Sequence, residues 1–328
     1  MFKCIFFVSP HQTFINVVLS SFFLCVCEQV DFINFCGEHI AENQINATSI
    51  VNMDEVPLTF DVPLGRTVNK VGDSSVTLRT TGNERTSFTC VLSCTASGGK
   101  LPPLVIFKRI TMPKESFPKG IVVRVNKKGW MDESMFKAWM SECYSQRPGG
   151  FFRQDKGMLV MDSMRAHITE GSLAAVRKTK SVPAIIPGGT TKYLQPLDIS
   201  VNRPFKVELR NEWEKWMTEG EKSFTKTGKM RKATFAQVCN WIVAAWGRVK
   251  TSAIVNGFRK AGLLSLVETE TTNTTTNTSG ACAPNQDSDS AGSDDETAGE
   301  GLNDAMLQLL VTDTEGSDFE GFEDDDDY

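Results

Sequence analysis

The chain has 328 residues, 40% of them hydrophobic, and this composition excludes a protein that is disordered throughout its length. Its net charge of −5 hides an asymmetry, because Lys260 is the last basic residue and 18 of the 40 acidic residues lie from Ser265 onward. The 264 residues before that point carry a net charge of +13, which favours a phosphate-bearing partner such as DNA. A basic surface that is merely solvated is the alternative interpretation.

An apolar run of fourteen residues, Phe14–Cys27, lies near the N-terminus. It is short for a membrane span but long enough for the core of a secretory signal peptide. Lys3 is the only basic residue before it, whereas signal peptides usually begin with a positively charged region. We therefore interpret residues 1–36 as an apolar leader outside the domain. Secretion is the alternative, and under it Asn46 would be a glycosylation acceptor.

Residues 37–264 predict one α/β domain in which strands and helices alternate. Short β-branched and aromatic runs predict strands, whereas apolar residues at helical spacing predict helices. The predicted strands are Ser49–Met53, Val76–Thr80, Phe88–Thr95, Leu104–Lys108, Ile121–Val125, Met158–Met161 and Val182–Ile186. The predicted helices are Ser134–Ser145, Glu170–Lys178, a long helix after Asp198 that Gly220 ends, a helix after the N-cap Thr234, and Thr251–Lys260.

Residues 265–328 consist mainly of Thr, Asn, Ser, Gly, Asp and Glu, and they predict a disordered acidic tail. Two short apolar islands within this tail indicate a segment that binds other proteins, and we expect nuclear proteins as its partners. A tail that only solvates the protein is the alternative.

The nine cysteines include no Cys-x-x-Cys pair, and the chain has only three histidines. This set lacks the ligand spacing of a zinc site. We therefore expect reduced thiols that fill the core of an intracellular protein.

Three aspartates stand at positions where strands end or a helix begins. Asp54 and Asp162 each follow a short apolar run, and Asp198 follows a Pro-Gly-Gly turn. Carboxylates at such positions can meet at one edge of a sheet and hold divalent metal ions for phosphodiester chemistry. Turn formation or helix capping is the alternative for each of them. Glu55 is a weaker candidate for a metal ligand. For His167 we expect a structural hydrogen bond rather than contact with a water molecule or a phosphate.

Five motifs frame these aspartates: Asn52-Met-Asp-Glu55, Asp162-Ser-Met-Arg-Ala-His167, Ile186-Pro-Gly-Gly-Thr-Thr-Lys-Tyr-Leu-Gln-Pro-Leu-Asp198, Asn202-Arg-Pro-Phe-Lys206 and Asn256-Gly-Phe-Arg-Lys-Ala-Gly262. Together they closely resemble the pogo/Tigger branch of the Tc1/mariner-type DDE transposases. The resemblance covers about residues 45–264 and includes every catalytic motif in order.

The resemblance implies a ribonuclease-H-like fold, a mixed sheet flanked by helices. It also implies DNA as the partner and cleavage and joining of DNA at transposon ends, with Mg²⁺ or Mn²⁺ as cofactor. By motif match, Asp54, Asp162 and Asp198 are the expected catalytic and metal-binding triad. The resemblance implies neither a membrane nor a small-molecule substrate as a partner.

The chain departs from the family pattern before Asp54. Family members usually carry an N-terminal helix-turn-helix region that recognises transposon ends, whereas here this stretch holds the apolar leader and Lys3 as its only base. We therefore expect a truncated or host-domesticated copy that acts in the nucleus. Two functions stay open: a metal-dependent DNA endonuclease, and a catalytically inactive protein that binds DNA or other proteins.

Overall fold

A computed structural model of the chain describes residues 10–63, 80–150 and 155–267, with side chains described from Val26 onward. These residues all belong to one compact unit, and the second unit, residues 64–76 and 279–328, lies outside the described parts. Of the predicted strand Val76–Thr80, only Thr80 is among the described residues. The predicted acidic tail lies outside them from residue 268 onward.

The described residues form six named strands and eight named helices. The strands are β1 (Ile50–Thr59), β2 (Ser87–Thr95), β3 (Leu104–Lys108), β4 (Val122–Asn126), β5 (Gly157–Met161) and β6 (Ser181–Ile185). The helices are α1 (Pro10–Asn43), α2 (Glu133–Glu142), α3 (Glu170–Lys178), α4 (Thr191–Leu194), α5 (Pro196–Ser200), α6 (Asn202–Glu219), α7 (Phe235–Arg248) and α8 (Thr251–Lys260). Most predicted elements within the described residues are confirmed to within a few residues at each end.

The strands form one mixed sheet in the order β4-β3-β2-β1-β5-β6. Strand β1 pairs antiparallel with β2 and parallel with β5, so the sheet changes from antiparallel to parallel pairing at β1. All five residues of β5 are buried, because helices cover the sheet on both faces. The expected ribonuclease-H-like mixed sheet flanked by helices is therefore confirmed.

Two hydrophobic cores lie on opposite faces of the sheet. One core packs α1 and α5 to α8 against residues such as Ile50 and Val56 of β1. The other packs α2 and α3 against residues such as Val51 and Met53 of the same strand. Because side chains alternate along a strand, Asp54 lies on the face of the first core and Glu55 on the face of the second.

The position of Asp54 within its strand differs from the prediction. Asp54 was expected to follow a strand that ends at Met53, but β1 continues to Thr59. The strand continues because β2 pairs with it as far as Thr59, whereas the parallel pairing with β5 ends at Asn52. Asp54 therefore lies at the end of the parallel ladder, although it lies in the middle of β1.

The helix predicted after Asp198 is divided in two. Helix α5 ends at Ser200, and α6 begins at Asn202. Val201, between them, is buried, and its φ of −112° lies outside the range of a regular α-helix, although its ψ of −44° is helical. The break turns the chain immediately after the third aspartate.

Helix α1 passes through residue 36, where the boundary between leader and domain was predicted. Phe32, Cys36 and Ile40 lie on one face of this helix and are buried in the first core. The domain boundary at residue 36 stays a prediction. Among the residues that the structure describes, no helix combines the length and apolar character needed to cross a membrane.

Candidate metal-binding active site

Asn52 connects the three elements that carry the aspartates. Its side chain is fully buried, and its Nδ2 donates a hydrogen bond of 2.9 Å to the carbonyl oxygen of Val160 in β5. Its Oδ1 accepts a hydrogen bond of 3.0 Å from the backbone N–H of Leu197 in α5. Asp162 lies two residues after Val160, and Asp198 lies one residue after Leu197. Asn52 therefore fixes the backbone positions of both aspartates relative to Asp54.

Asp54 and Asp198 share one hydrogen-bond donor. The Nδ2 of Asn202, the first residue of α6, lies 2.6 Å from Asp54 Oδ2 and 2.8 Å from Asp198 Oδ1. Asp54 is only 8% exposed, whereas Asp198 is exposed on the first turn of α5. The two carboxylates thus lie side by side at the point where β1, α5 and α6 meet.

The pKa values of both carboxyl groups are raised. For Asp54, burial raises the pKa most, the charges of Asp198, Glu55 and Asp162 raise it further, and the hydrogen bond from Asn202 offsets part of the rise. For Asp198, burial again raises the pKa most, Asp162 adds to the rise, and hydrogen bonds with Asn202 and Asp54 oppose it. A cation beside these groups would stabilise their charged forms.

Asp162 lies directly after β5 and is held by His167. His167 is fully buried, and its Nδ1 lies 2.7 Å from Asp162 Oδ1. Its Nε2 lies 2.9 Å from Glu55 Oε1, on the face of the sheet opposite Asp54. The backbone N–H of Met164 also donates to Asp162 Oδ1, at 3.1 Å.

His167 and Asp162 have opposite shifts in pKa. Burial lowers the pKa of His167, but the charge of Glu55, the hydrogen bonds and the charge of Asp162 outweigh it and raise the pKa to about 10. Burial raises the pKa of Asp162, but the hydrogen bond and charge of His167 and the N–H of Met164 prevail and lower it. At neutral pH a protonated His167 therefore joins two carboxylates.

Glu55, Asp162 and His167 each offer one ligand atom, and these atoms lie within 4.8 Å of one another. The geometry alone would allow a metal ion there. A protonated His167, however, has no free lone pair on either ring nitrogen, and both nitrogens already contact carboxylates. We therefore assign His167 the role of holding Asp162, and Glu55 the role of holding His167.

The sequence indicates the three aspartates, but it does not indicate the side chains of Asn202 and Glu55 that contact the site. Asn202 lies four residues after Asp198, and their side chains meet across the α5–α6 junction. That spacing is a weak signal, because it does not indicate that the same amide also reaches Asp54 in a distant strand. The structural hydrogen bond expected for His167 is observed, and the contact with Glu55 was not predicted. The metal-binding role of the triad stays a prediction.

The five buried cysteines among the described residues are free thiols, namely Cys36, Cys90, Cys94, Cys143 and Cys239. Burial raises the pKa of Cys36 and Cys239 to about 12, so these thiols stay protonated near neutral pH. They fill the core, as predicted.

The family model described as DDE superfamily endonuclease matches residues 85–258, which is more than half of the chain, and the chain belongs to this family. Within the family, the resemblance to pogo elements is confirmed. The mouse protein "Pogo transposable element with KRAB domain" is 33% identical over 219 residues, covering 67% of this chain and 36% of the relative.

Two human relatives match in the same way. The human pogo transposable element with KRAB domain is 32% identical over 219 residues, again covering 67% of this chain and 36% of the relative. The human pogo transposable element with ZNF domain is 27% identical over 188 residues, covering 57% of this chain and 13% of the relative. The chain thus spans about a third or less of the length of these relatives.

Solved structures of Mos1 transposase are distant in sequence. A Mos1 paired-end complex with the left transposon end has a TM-score of 0.47 and 10% identity, covering 74% of this chain and 61% of that one. A Mos1 paired-end complex with Mn has a TM-score of 0.46 and 11% identity, covering 74% and 60% of the two chains.

Proposed function

We propose that the chain is a transposon-derived DDE endonuclease domain that binds DNA and cleaves and joins its phosphodiester bonds. Asp54, Asp162 and Asp198 are the catalytic residues, and they hold Mg²⁺ or Mn²⁺. One observation carries this proposal: Asn202 donates to both Asp54 and Asp198, so two acidic side chains with raised pKa values stand side by side. Membership of the DDE superfamily endonuclease family supports the same function.

The residues present suit a hard divalent cation. Carboxylate oxygens are the ligands that Mg²⁺ and Mn²⁺ prefer, and Asp198 is open to solvent, so water can complete a coordination shell. Asp54 and Asp198 would hold one ion between them, and Asp162 would share in holding a second. When bound, the ions neutralise phosphate charge and supply an activated oxygen nucleophile for displacement at phosphorus.

The chain's own contribution is to position these ligands. Asn52 fixes β5 and α5 against β1, and Asn202 fixes the rotamers of Asp54 and Asp198. His167 contacts one oxygen of Asp162, and the other oxygen would be the ligand atom for a metal ion. Preorganisation of this kind lowers the cost of arranging ligands when the ions and DNA bind.

A nicking assay on supercoiled DNA tests the proposal. We expect wild-type protein to nick the plasmid in Mg²⁺ or Mn²⁺, and Asp162→Ala to lower the rate by a factor on the order of 100 or more. The matched control is Glu221→Gln, which also removes one acidic charge but from an exposed position after α6. Wild-type protein that nicks no better than Asp162→Ala would refute the proposal.

A second candidate function is a domesticated, catalytically inactive protein that keeps the fold for DNA or protein binding. The observation that favours it is that the relatives join a pogo sequence to a KRAB or ZNF domain. DNA binding that weakens with salt, without any metal-dependent nicking, would support this candidate over the first.

We further propose that the protein acts in the nucleus and that residues 265–328 bind nuclear proteins there. The basic body and the acidic tail support this location. Microscopy of the full chain carrying a C-terminal tag tests it, with nuclear signal expected. The secretory alternative predicts instead a glycan on Asn46, an exposed residue whose Oδ1 accepts hydrogen bonds from the N–H groups of Thr48 and Ser49.

A further inference from the structure

The segment between α6 and α7 carries a dense positive charge. Residues 222–232, here called the basic hairpin, contain five bases and no acid. The bases are Lys222, Lys226, Lys229, Arg231 and Lys232. Lys226, Lys229 and Arg231 are exposed, and the aromatic ring of Phe224 is 56% exposed beside them. A basic surface with an exposed aromatic ring is typical of contact with a nucleic acid.

The backbone of the basic hairpin is ordered by its own hydrogen bonds. Thr225 and Arg231 donate their N–H groups to the carbonyl oxygens of Lys229 and Ser223, both at 2.8 Å. Gly228 closes the turn with a φ of 79°, a conformation that a side chain at this position would strain. Because the hairpin is already folded, its lysines need little further ordering when they contact a partner.

Helix α6 connects the basic hairpin to the aspartate site. Its 18 residues correspond to a length of about 27 Å. At its start Asn202 contacts Asp54 in β1, and near its end Trp213 Nε1 donates to Asp61 Oδ1, at 3.2 Å, just after β1. The helix therefore runs along β1, and the hairpin follows at the far end.

The other end of the basic hairpin packs at the same place. Lys232 Nζ lies 3.8 Å from the centroid of the Phe60 ring, directly after β1. Burial lowers the pKa of Lys232 most, and the charge of Arg109 lowers it further. The hairpin is thus anchored where β1 ends, and the Nζ of Lys229 lies next to Gly82 in the loop before β2.

Helix α6, between the site and the basic hairpin, carries four basic and four acidic residues. Lys206 is exposed one turn after Asn202, and its charge opposes the rise in the pKa of Asp198. Arg210 follows one turn later, and its Nε donates to the carbonyl oxygen of Val62, at 3.4 Å. Among the acids of α6, Glu208 and Glu212 are paired with Arg248 of α7. Their charge is therefore partly neutralised.

We propose that the basic hairpin binds the phosphate backbone of the DNA duplex that flanks the phosphodiester bond in the aspartate site. The proposal rests on the proposed function. The length of α6 sets the scale, since about 27 Å corresponds to about eight base pairs at 3.4 Å per step. The hairpin recognises phosphate charge, so it adds affinity without reading the base sequence.

The test measures DNA binding of the full chain in chelator, where cleavage does not interfere. The hairpin variant is Lys226→Gln with Lys229→Gln, and the matched control is Lys156→Gln with Lys178→Gln. The control lysines are also exposed, and they lie before β5 and at the end of α3, at the opposite edge of the sheet from Asp162. Both variants remove two positive charges, so the net charge of the protein is the same in each. Circular dichroism checks that both are folded.

We expect the hairpin variant to bind a 30-base-pair duplex about tenfold more weakly than wild-type protein at 0.1 M salt. The slope of log affinity against log salt is expected to become shallower by about 1.8, because two phosphate contacts are lost. The control variant should keep the wild-type slope within about 0.5.

Equal slopes for the hairpin and control variants would overturn the inference. Tighter DNA binding by the hairpin variant would also overturn it, since it would mean that the hairpin holds an acidic segment of the chain instead. A wild-type protein that binds DNA with a steeper salt dependence than the hairpin variant, but fails to nick the DNA, would leave the hairpin inference standing and refute the endonuclease. Failure of wild-type protein to bind DNA at all would refute both.

Discussion

The surroundings of the three aspartates stabilise the charged form of one carboxyl group and destabilise that of the other two. A protonated His167 stabilises the charge of Asp162, and the pKa of Asp162 is lowered. Asp54 and Asp198 share only an amide, and their pKa values are raised. In this site the charged form of Asp162 is stabilised without a cation, whereas a bound cation would stabilise the charged forms of Asp54 and Asp198.

Replacing Asp54 by Asn should stabilise the protein in chelator. The raised pKa of Asp54 means that its ionisation costs stability, and this cost appears as the pH rises above about 4, the ordinary value of the group. We therefore expect a higher free energy of unfolding for the variant than for wild-type protein at pH 7, measured by urea titration. Addition of Mn²⁺ should raise the unfolding temperature of wild-type protein but not of the variant.

The contrasting variant is Asp61→Asn, because Asp61 is a buried carboxylate with a structural role. Its Oδ2 accepts hydrogen bonds from the N–H groups of Thr81 and Asn83 and from the hydroxyl of Thr81, and its Oδ1 accepts one from Trp213. An asparagine has only one accepting oxygen, so this variant should lose about 1–3 kcal/mol. A loss of stability in both variants would contradict the interpretation of Asp54.

The contact of His167 with two carboxylates predicts a dependence of stability on pH. A histidine whose pKa is raised to about 10 contributes stability that is complete below about 6.5 and is lost as the pH rises toward 10. In chelator, the free energy of unfolding should fall by on the order of 3 kcal/mol between pH 6.5 and pH 9. Glu55→Gln should reduce this fall by half or more, because Glu55 makes the largest contribution to the rise.

The control for this pH dependence is Glu208→Gln, which removes an acid that pairs with Arg248 on the surface of α6. It should leave the fall between pH 6.5 and pH 9 unchanged. Identical pH profiles for Glu55→Gln and wild-type protein would show that the contact does not raise the pKa of His167.

At the scale of elements, the position of Asp198 depends on how closely α5 and α8 pack. Gly257 of α8 lies so near α5 that a Cβ added to it would be 2.5 Å from Ser200 Oγ and 2.7 Å from the carbonyl oxygen of Pro196. Ser200 Oγ also donates to the carbonyl oxygen of Ala253, at 2.7 Å. Helix α8 thus fixes the short helix that carries the third aspartate.

Gly257→Ala should therefore push α5 away from α8. Overpacking of this kind costs about 1–3 kcal/mol, and displacement of Asp198 should also lower the nicking rate. Gly247→Ala in α7 is the matched control, since a Cβ there would meet nothing within 4 Å. The control should gain about 0.5–1 kcal/mol and keep its nicking rate. Equal stability of the two variants would contradict the close packing of α5 on α8.

At the scale of the whole molecule, the first core extends beyond the strands and helices that carry the site. The second half of α1 contributes Phe32, Cys36 and Ile40 to this core, although sequence analysis assigned residues 1–36 to a leader. Side chains buried to this degree stabilise a protein by about 1.5–3 kcal/mol each. These three side chains of α1 therefore help to stabilise the first core.

Phe32→Ala tests the role of α1 in the domain. Phe32 is 5% exposed, and its removal should lower the free energy of unfolding by about 3–5 kcal/mol. Phe35, three residues further along the same helix, is 37% exposed, and Phe35→Ala should cost about 1 kcal/mol or less. Chemical denaturation of both variants gives the comparison. If the two losses were equal, α1 would not pack on the core as described.

Local patterns in the sequence were sufficient to predict most strands and helices. Thr234 was predicted as an N-cap because a hydroxyl before an apolar helical pattern can accept a backbone N–H, and it accepts that of Gln237 at 3.1 Å. The apolar run at Met158–Met161 predicted a strand buried on both faces. These features depend on neighbours within a few residues, so they are readable from the chain itself.

The amino-acid sequence by itself determined the identity of the three aspartates, the succession of elements and the asymmetry of charge. Only the tertiary structure decided that β1 continues beyond Asp54, that Asn202 joins Asp54 to Asp198, and that His167 joins Asp162 to Glu55. The physical reason is distance along the chain. The contacts of Asn202 with Asp54 and of His167 with Glu55 join residues more than 100 positions apart, and their geometry depends on the register of a sheet and the angle between helices.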